Sequence, residues 1–298
     1  MKRVLVTGSN GLLGQKLSDL YTKIEGVDFL ATGAGANRHP MGEKLAYRSM
    51  DIRNKDEIDA LFADFRPDTV IHAAAMTNVD QCELEKDACT ALNVTAVNYL
   101  IDACNQYDGH LIHLSTDFIF DGKGGPYKEE DRPNPISFYG ESKLVGEKMI
   151  QEKAKKWAIV RTVLVYGIVK DMSRSNIVLW AKNALESGKE INVVTDQYRS
   201  PTLAEDLALG CRLIEQQEAQ GIFHISGKDF MSVYELVQRV AAYWNLPINH
   251  MHPSTSEGIK QAAKRPPVTG FILDKAIREL GYAPRSFEEG LAVINAEL

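Results

Sequence analysis

Short apolar runs alternate with amphipathic stretches over roughly the first half of the chain. The strand-like runs are Arg3–Thr7, Phe29–Thr32, Thr69–Ala73, His110–Ser115 and Ala158–Val163. Helical patterns lie between them, near residues 12–23, 55–65, 86–107 and 140–155. Strands separated by helices predict parallel βαβ units, and the absence of polar alternation in VLVT and TVIHAAA suits strands that are covered on both faces. The pattern therefore predicts an α/β fold with a Rossmann-type, doubly wound parallel sheet.

This alternation loosens beyond Tyr166. Helical patterns lie near residues 175–188 and 203–217, strand-like runs lie at Ile191–Val194 and Ile222–Ser226, and the C-terminal region holds two or three further helices. We therefore expect a Rossmann domain over residues 1–170 and a smaller C-terminal lobe over residues 171–298, with some chain crossing back to the first domain. A cleft between two such lobes is the natural place for a substrate.

The composition is that of a globular protein, with 298 residues of which 25% are charged. The formal net charge of -6 argues against nucleic acid or an anionic membrane as the main partner. No apolar run approaches the roughly 20 residues that span a bilayer. The 4 cysteines form no CxxC pair and have no histidines at metal-ligand spacing, so we expect reduced thiols, no metal site and a cytoplasmic protein.

Three glycines directly follow the first strand. Gly8, Gly11 and Gly14 form a G-x-x-G-x-x-G turn between VLVT and the helix that starts with LLGQKL. Gly8 permits a tight turn, Gly11 lets the backbone approach a pyrophosphate, and Gly14 lets the helix pack on the strand. The helix N-terminus then offers free N–H groups to the anion. The turn predicts dinucleotide binding, with Asn10 and Leu12 counted in the same site; an ordinary turn is the alternative.

The end of the second strand favours NADP(H) over NAD(H). A site that prefers NAD usually has an acidic residue there, which binds the ribose hydroxyls. This chain has Thr32, Gly33 and Ala34 at that point, and Arg38 follows a few positions later. Arg38 could meet a 2′-phosphate, or it could be a solvated loop residue. We expect NADP(H) as the preferred cofactor, with NAD(H) as the second choice.

Two further segments are expected to contact the cofactor. Asp51 follows the presumed third strand and could accept from the adenine amino group while Ile52 packs on the ring; a helix cap is the alternative role for Asp51. The small residues Ala73, Ala74 and Ala75 end the next strand. Their size would let the backbone and the cofactor come close together.

A tyrosine and a lysine four positions apart carry the candidate chemistry. Tyr139 and Lys143 lie on one face of a predicted helix. An ammonium beside a phenol stabilises the phenolate and lowers its pKa, so Tyr139 could act as general acid while Lys143 also donates to the nicotinamide ribose. Thr116 closes the strand before this helix and could orient a carbonyl oxygen, or simply cap the strand. Asn93 could support Lys143 through a bound water, or only face a polar gap. The set predicts reduction of a ketone by a reduced nicotinamide.

Several segments together resemble a known family. They are TGSNGLLG, HAAAMTNVDQCE, LNVTAV, HLSTDFIFDG, YGESKLVGE, RTVLVYG and DQYRSPT. They resemble the extended short-chain dehydrogenase/reductases and, more narrowly, the dTDP-4-dehydrorhamnose reductase family. The resemblance extends from Lys2 to about Thr202, with a looser continuation through Arg265 and Asp274.

This resemblance implies that a nucleotide-sugar substrate, dTDP-4-dehydro-6-deoxy-L-mannose, is reduced to dTDP-L-rhamnose with NAD(P)H. It implies that Thr77, Asp117 and Phe118 border the sugar. Arg199 and Arg265 would face the nucleotide or sugar end, where a diphosphate needs cations; structural salt bridges are the alternative for both arginines. The assembly is not fixed by the sequence, and a homodimer is the oligomer that we keep as an expectation.

Departures from the family pattern leave other functions open. Leu164 stands where the family often has Trp, Met76 stands where it usually has His or Tyr, and the loop after Arg265 is longer, so the sugar could differ. Phe118 stands where sugar-nucleotide dehydratases need Glu, which argues against dehydration. A sugar-nucleotide epimerase remains an alternative. So does an NADP-binding regulatory protein, because the β subunit of methionine adenosyltransferase resembles the same family.

Overall fold

The computed structural model describes residues 1–170, 175–258 and 261–298. The strands are β1 (Lys2–Thr7), β2 (Val27–Gly33), β3 (Tyr47–Ser49), β4 (Thr69–His72), β5 (His110–Thr116), β6 (Trp157–Thr162), β7 (Val165–Tyr166), β8 (Ile191–Val194), β9 (Tyr198–Arg199), β10 (Thr202–Leu203), β11 (Gly221–His224), β12 (Met231–Ser232) and β13 (Met251–Ser254). The α-helices are α1 (Leu12–Tyr21), α2 (Lys55–Phe65), α3 (Val79–Leu84), α4 (Lys86–Thr90), α5 (Ala96–Gln106), α6 (Phe138–Lys153), α7 (Ile177–Glu186), α8 (Ala204–Gln217), α9 (Val233–Tyr243), α10 (Asp274–Leu280) and α11 (Phe287–Glu297).

A seven-stranded sheet in the order β11-β6-β5-β4-β1-β2-β3 forms the centre of the molecule. Each neighbouring pair in this sheet is parallel. The strand order reverses between β1 and β4, and in sheets of this kind ligands bind beyond the carboxyl ends of the strands at that point. The prediction of a Rossmann-type, doubly wound parallel sheet is confirmed.

The apolar strands are buried on both faces of this sheet. Val4 and Val6 pack into one hydrophobic cluster, whereas Leu5 between them packs into a second cluster on the opposite face. All three side chains are fully buried, and burial of each contributes about 1.5–3 kcal/mol. Helices cover both faces, which is why the strand sequences show no polar alternation.

A third hydrophobic cluster lies outside the large sheet. It joins helices α7, α9 and α11 to the short strand β8, with Val178, Val193, Val237 and Leu291 among its buried members. Strand β11 comes from the C-terminal part of the chain but pairs with β6 in the large sheet. The division at residue 170 stays a prediction, and its boundary adjoins residues 171–174, which lie outside the described part.

The predicted helix over residues 86–107 is interrupted in the structure. Helix α4 passes into a π-helical segment, Ala91–Thr95, before α5 continues. A π segment has one extra residue in its turn and often lies at a functional site. Here it places Asn93 in a fully buried position. Periodicity alone cannot indicate this insertion, because the apolar spacing before and after it stays helical.

None of the helices within the described ranges is both long enough and apolar enough to cross a membrane.

Candidate active site

The glycine turn packs directly against the end of β4. Gly8 has a φ of +72°, and a Cβ added to it would lie 2.7 Å from the backbone N and Cα of Ala74. A Cβ on Gly14 would overlap the carbonyl oxygen of Gly8. These two positions therefore require glycine, because the neighbouring atoms belong to the backbone and cannot move aside. Ala73 and Ala75 flank the contact and are half-buried.

The N-terminus of α1 is open at this turn. Gly11 is the N-cap residue, no side chain caps the helix, and its first turn has no acidic residue. A Cβ on Gly11 would contact only the Gly8 oxygen, at 3.3 Å, and Gly11 is exposed. The first N–H groups of a helix have no acceptor within the helix, and here Leu12 begins it. A cradle with free N–H groups and no competing carboxylate fits a pyrophosphate.

Asn10 links the glycine turn to the loop that follows β2. Its side-chain oxygen accepts from the Arg38 N–H at 2.9 Å, and its amide nitrogen donates to the Ala36 carbonyl at 3.0 Å. The Tyr47 hydroxyl lies 2.7 Å from the Gly35 carbonyl in the same loop. The backbone of Arg38 is thus fixed while its side chain stays exposed. Its role toward a 2′-phosphate stays a prediction.

Asp51 is paired with a cation that the sequence analysis did not assign. The Arg53 guanidinium lies 2.6 Å from the Asp51 carboxylate and lowers the pKa of that carboxyl. Asn54, not Asp51, caps α2, because its side chain accepts from the Asp56 N–H. Ile52 is buried beside Asp51. The alternative role of Asp51 as the cap of this helix is therefore wrong, and its contact with adenine stays a prediction.

Helix α6 brings Tyr139 and Lys143 to the end of β5. Ser137 caps the helix by accepting from the Gly140 N–H at 3.2 Å. A Cβ on Gly140 would overlap the Phe118 carbonyl, so the first turn of α6 packs tightly on the residues after Thr116. Tyr139 and Lys143 are 8% and 2% exposed, and Thr116 is 6% exposed.

Burial controls the acidity of Tyr139 and Lys143. It raises the pKa of Tyr139, and a hydrogen bond with Thr116 opposes that rise only in part. The ammonium of Lys143 lies 3.1 Å from Nε2 of His113, and burial lowers the pKa of Lys143 to about 8. Burial is the largest cause at Tyr139, and the expected effect of Lys143 on the pKa of the phenol stays a prediction.

Asn93 links the loop after β4 to helix α6. Its side-chain oxygen accepts from the Met76 N–H at 2.9 Å, and its amide nitrogen donates to the Met76 carbonyl at 3.0 Å and to the Ser142 hydroxyl at 3.0 Å. Asn93 is therefore hydrogen-bonded directly to Ser142, the residue before Lys143. Its expected action through a bound water stays a prediction.

The substrate side of the predicted site contains a buried carboxylate. Asp117 is 3% exposed, accepts from Thr116 at 3.0 Å and from Thr269 at 2.5 Å, and has a pKa that burial raises. The Phe118 ring meets the Tyr139 ring edge-on at 5.8 Å. Thr77 is exposed in the loop between β4 and α3.

The two predicted substrate arginines have protein partners. Arg199 is buried, donates to the carbonyls of Pro266 and Pro267 at 2.7 and 3.0 Å, and lies 3.9 Å from Asp117. Arg265 forms an ion pair with Asp80 at 2.7 Å. These are the structural bonds that the sequence analysis kept as the alternative, and contact with a nucleotide stays a prediction for both.

Arg199 and Arg265 hold the segment around Pro266 and Pro267 in place, the first through its carbonyls and the second through Asp80. Asp80 also accepts from the Ala263 N–H at 2.9 Å, and Ala263 belongs to the hydrophobic cluster that contains Tyr139 and Met76. The contact between Ala263 and α3 spans most of the chain, so no local sequence pattern could have indicated it. His113 and Ser142 were missed as well, although both belong to segments that carry predicted site residues.

A glycine turn after β1 that leaves a helix N-terminus open and a buried tyrosine and lysine on the helix after β5, in one parallel sheet, define an extended short-chain dehydrogenase/reductase. The sequence model of the RmlD substrate binding domain family matches residues 1–298. The chain belongs to this family.

The chain is similar in sequence to two differently named kinds of protein. Methionine adenosyltransferase 2 subunit beta from Danio rerio is 33% identical over 89% of this chain and 81% of its own length. dTDP-4-dehydrorhamnose reductase from Aggregatibacter actinomycetemcomitans is 31% identical over 99% of each chain. The solved structure of dTDP-4-dehydrorhamnose reductase from Bacillus anthracis str. Ames in complex with NADP is 31% identical, has a TM-score of 0.86 and covers 100% of each chain.

Proposed function

We propose that this chain is an NADPH-dependent reductase of a nucleotide-linked 4-keto sugar, with dTDP-4-dehydrorhamnose as its substrate. NADH is the second-choice cofactor. The reductase from Aggregatibacter actinomycetemcomitans supports this function because it aligns over 99% of both chains. The Bacillus anthracis structure supports NADP, which that protein binds.

The residues around the glycine turn would hold the cofactor. Gly8, Gly11 and Gly14 would form the pyrophosphate cradle, with the N–H groups of the first turn of α1 directed at the anion. Farther from the turn, Arg38 would bind a 2′-phosphate, and Asp51 would bind adenine. When bound, the nicotinamide supplies the hydride that reduces the ketone.

Residues of helix α6 and of the end of β5 would carry out the proton transfer. Tyr139 is protonated at neutral pH, since the ordinary pKa of a phenol is about 10 and burial raises it, so a proton is present to be given to the developing alkoxide. Thr116 would orient the carbonyl oxygen, and the Lys143 ammonium would stabilise negative charge at this end of the site. Met76 and Leu164 differ from the residues that the family usually has at these two positions, which are His or Tyr and Trp. We assign the selectivity for the sugar to Met76 and Leu164.

One observation supports the proposal most directly: Thr116 at the end of β5 and Tyr139 and Lys143 on α6 are nearly fully buried, while the N-terminus of α1 has no side-chain cap. The test is a panel of 4-keto sugar nucleotides offered with NADPH or NADH while oxidation of the nicotinamide is followed. We expect oxidation with dTDP-4-dehydrorhamnose and faster turnover with NADPH. Tyr139→Phe should bind NADPH as the parent does and lose turnover by a factor of about 10²–10⁴. Binding without oxidation by any panel member would refute the reductase function.

A second function is favoured by the 33% identity to methionine adenosyltransferase 2 subunit beta. In that case the chain would bind NADP as an interaction protein without turnover. A pull-down with a methionine adenosyltransferase catalytic subunit, run beside the panel, separates the two functions. An epimerase would interconvert sugar nucleotides without net consumption of NADPH.

A homodimer and a cytoplasmic location are parts of the same proposal. Sedimentation of the purified chain tests the first, and fractionation of the source cells tests the second.

A further inference from the structure

Two buried histidines lie behind the catalytic lysine, and the proposed reaction assigns neither of them a role. His72 and His113 are register partners on β4 and β5, and their ring centroids are 5.1 Å apart. They are 1% and 0% exposed. Nε2 of His113 lies 3.1 Å from the Lys143 ammonium. The lysine therefore contacts the sheet through an imidazole.

The chemistry of this contact fixes the protonation of His113. An ammonium has three donors and no acceptor, so Nε2 of His113 must accept and its proton must be on Nδ1. Behind it, Nδ1 of His72 lies 2.7 Å from the Thr7 hydroxyl, which also lies 3.4 Å from the Ala74 N–H of the glycine-turn contact. No hydrogen bond joins the two rings, because Nε2 of His72 and Nδ1 of His113 have no partner within the described residues. The hydrogen bond that His113 makes through its side chain is therefore the one with Lys143.

The surroundings keep this imidazole neutral. Burial, the charge of Lys143 and the neighbouring His72 together hold the pKa of His113 well below its usual range. The other titratable groups that act on Lys143 are Glu147 on its own helix and the thiols of Cys82 and Cys89 on α3 and α4. Each of them favours the charged lysine, but a buried ammonium still requires a hydrogen-bond acceptor.

We propose that His113 is a positioning residue for Lys143. The neutral imidazole of His113 accepts a hydrogen bond from the buried ammonium, which keeps the lysine charged and fixes the direction in which it donates. This inference rests on the proposed function and deepens it. His113 is fully buried behind Lys143 and contacts its ammonium, so it would act through Lys143.

The test compares substitutions that keep or remove the acceptor. His113→Gln can place an amide oxygen near the position of Nε2, whereas His113→Leu has no acceptor. His113→Asn is polar but too short to reach Lys143, and it serves if the leucine variant does not fold. His110→Leu is the matched control, because His110 is buried on the same strand and neither of its ring nitrogens has a partner within the described residues.

Two readouts are measured from pH 6 to pH 10 for every variant: NADPH oxidation with the keto-sugar nucleotide, and NADPH affinity by fluorescence. Both should decline as Lys143 loses its proton. Loss of a hydrogen bond to a charged group should move this decline about one pH unit lower in His113→Leu and His113→Asn. His113→Gln and His110→Leu should keep the parent's pH profile.

The proposal is overturned if His113→Leu and His113→Asn keep the parent's profile, or if His113→Gln shifts as they do. A uniform loss of activity or stability without a change in the profile also overturns it, because a purely structural role would produce that result. If the parent reduces no sugar nucleotide, the proposed function fails separately, and the NADPH-affinity profile still decides the role of His113.

Discussion

Thr116 and Tyr139 share a hydrogen bond in a part of the site that excludes most solvent. The Thr116 hydroxyl donates to the Asp117 carboxylate and accepts from the Phe118 N–H, so its direction is set by two fixed neighbours. Burial raises the pKa of the Tyr139 phenol. In the proposed reaction the phenol would give its proton to the substrate oxygen, and the Thr116 hydroxyl would have to turn its one proton from Asp117 to that oxygen.

Removal of this hydroxyl should affect the chemical step more than binding. We expect Thr116→Val to lower kcat for NADPH oxidation by about 10²-fold, the size associated with one oxyanion donor, with little change in NADPH affinity. Thr116→Ser keeps the hydroxyl and should retain most of the activity. Steady-state kinetics on the keto-sugar nucleotide measure both variants. Equal kcat values for the valine variant and the parent would remove Thr116 from the mechanism.

At the scale of elements, the junction of β1 and α1 contains glycines with separable roles. Gly14 is required for packing, since its Cβ would overlap the backbone of Gly8. Gly11 has an ordinary extended conformation, with φ of -83° and ψ of 173°, and is exposed toward solvent. A methyl group there is compatible with the fold but occupies the cradle in which a pyrophosphate would lie.

Gly11→Ala should therefore separate cofactor binding from stability. We expect the free energy of unfolding to fall by no more than about 1 kcal/mol, the usual difference between Gly and Ala at an N-cap. The Kd for NADPH should rise at least about tenfold, because the added methyl keeps the backbone from a close approach to the anion. Denaturant unfolding and fluorescence titration measure the two effects. Unchanged NADPH affinity would show that the cradle is not the pyrophosphate site.

Elements whose sequences carry a local signal could be predicted, and those that depend on distant contacts could not. The β1 strand, the glycine turn and helix α6 are each determined by neighbours in sequence. The side chain of Asn93 in the π segment bonds to Met76 and Ser142, and contacts between separate elements of this kind leave no local sequence pattern. The raised pKa of Tyr139 also escaped prediction, since its cause is burial by Phe118, Ala263 and their neighbours rather than the lysine one turn away.

At the scale of the whole molecule, the large sheet keeps several histidines away from water. His72, His110, His113 and His224 lie on β4, β5 and β11 and are each at most 5% exposed. Burial is the largest cause that lowers the pKa of all four, to about 3 for His72 and to about 4 for His110. The folded protein therefore keeps these imidazoles neutral under conditions in which the unfolded chain protonates them.

This difference makes the fold sensitive to mild acid. Between the folded and unfolded pKa values the unfolded chain binds more protons, so stability is complete above about pH 6.5 and falls as the pH decreases below it. At pH 5 the neutral imidazoles of His72 and His110 should each cost about 2 kcal/mol. Burial of His113 and His224 adds to the loss in the same direction. Denaturant unfolding at pH 7.5 and pH 5 measures the loss. His110→Phe should lose about 2 kcal/mol less than the parent between these two pH values. Equal stability at both pH values would show that the buried imidazoles take up protons within the fold, and that the sheet does not shield them.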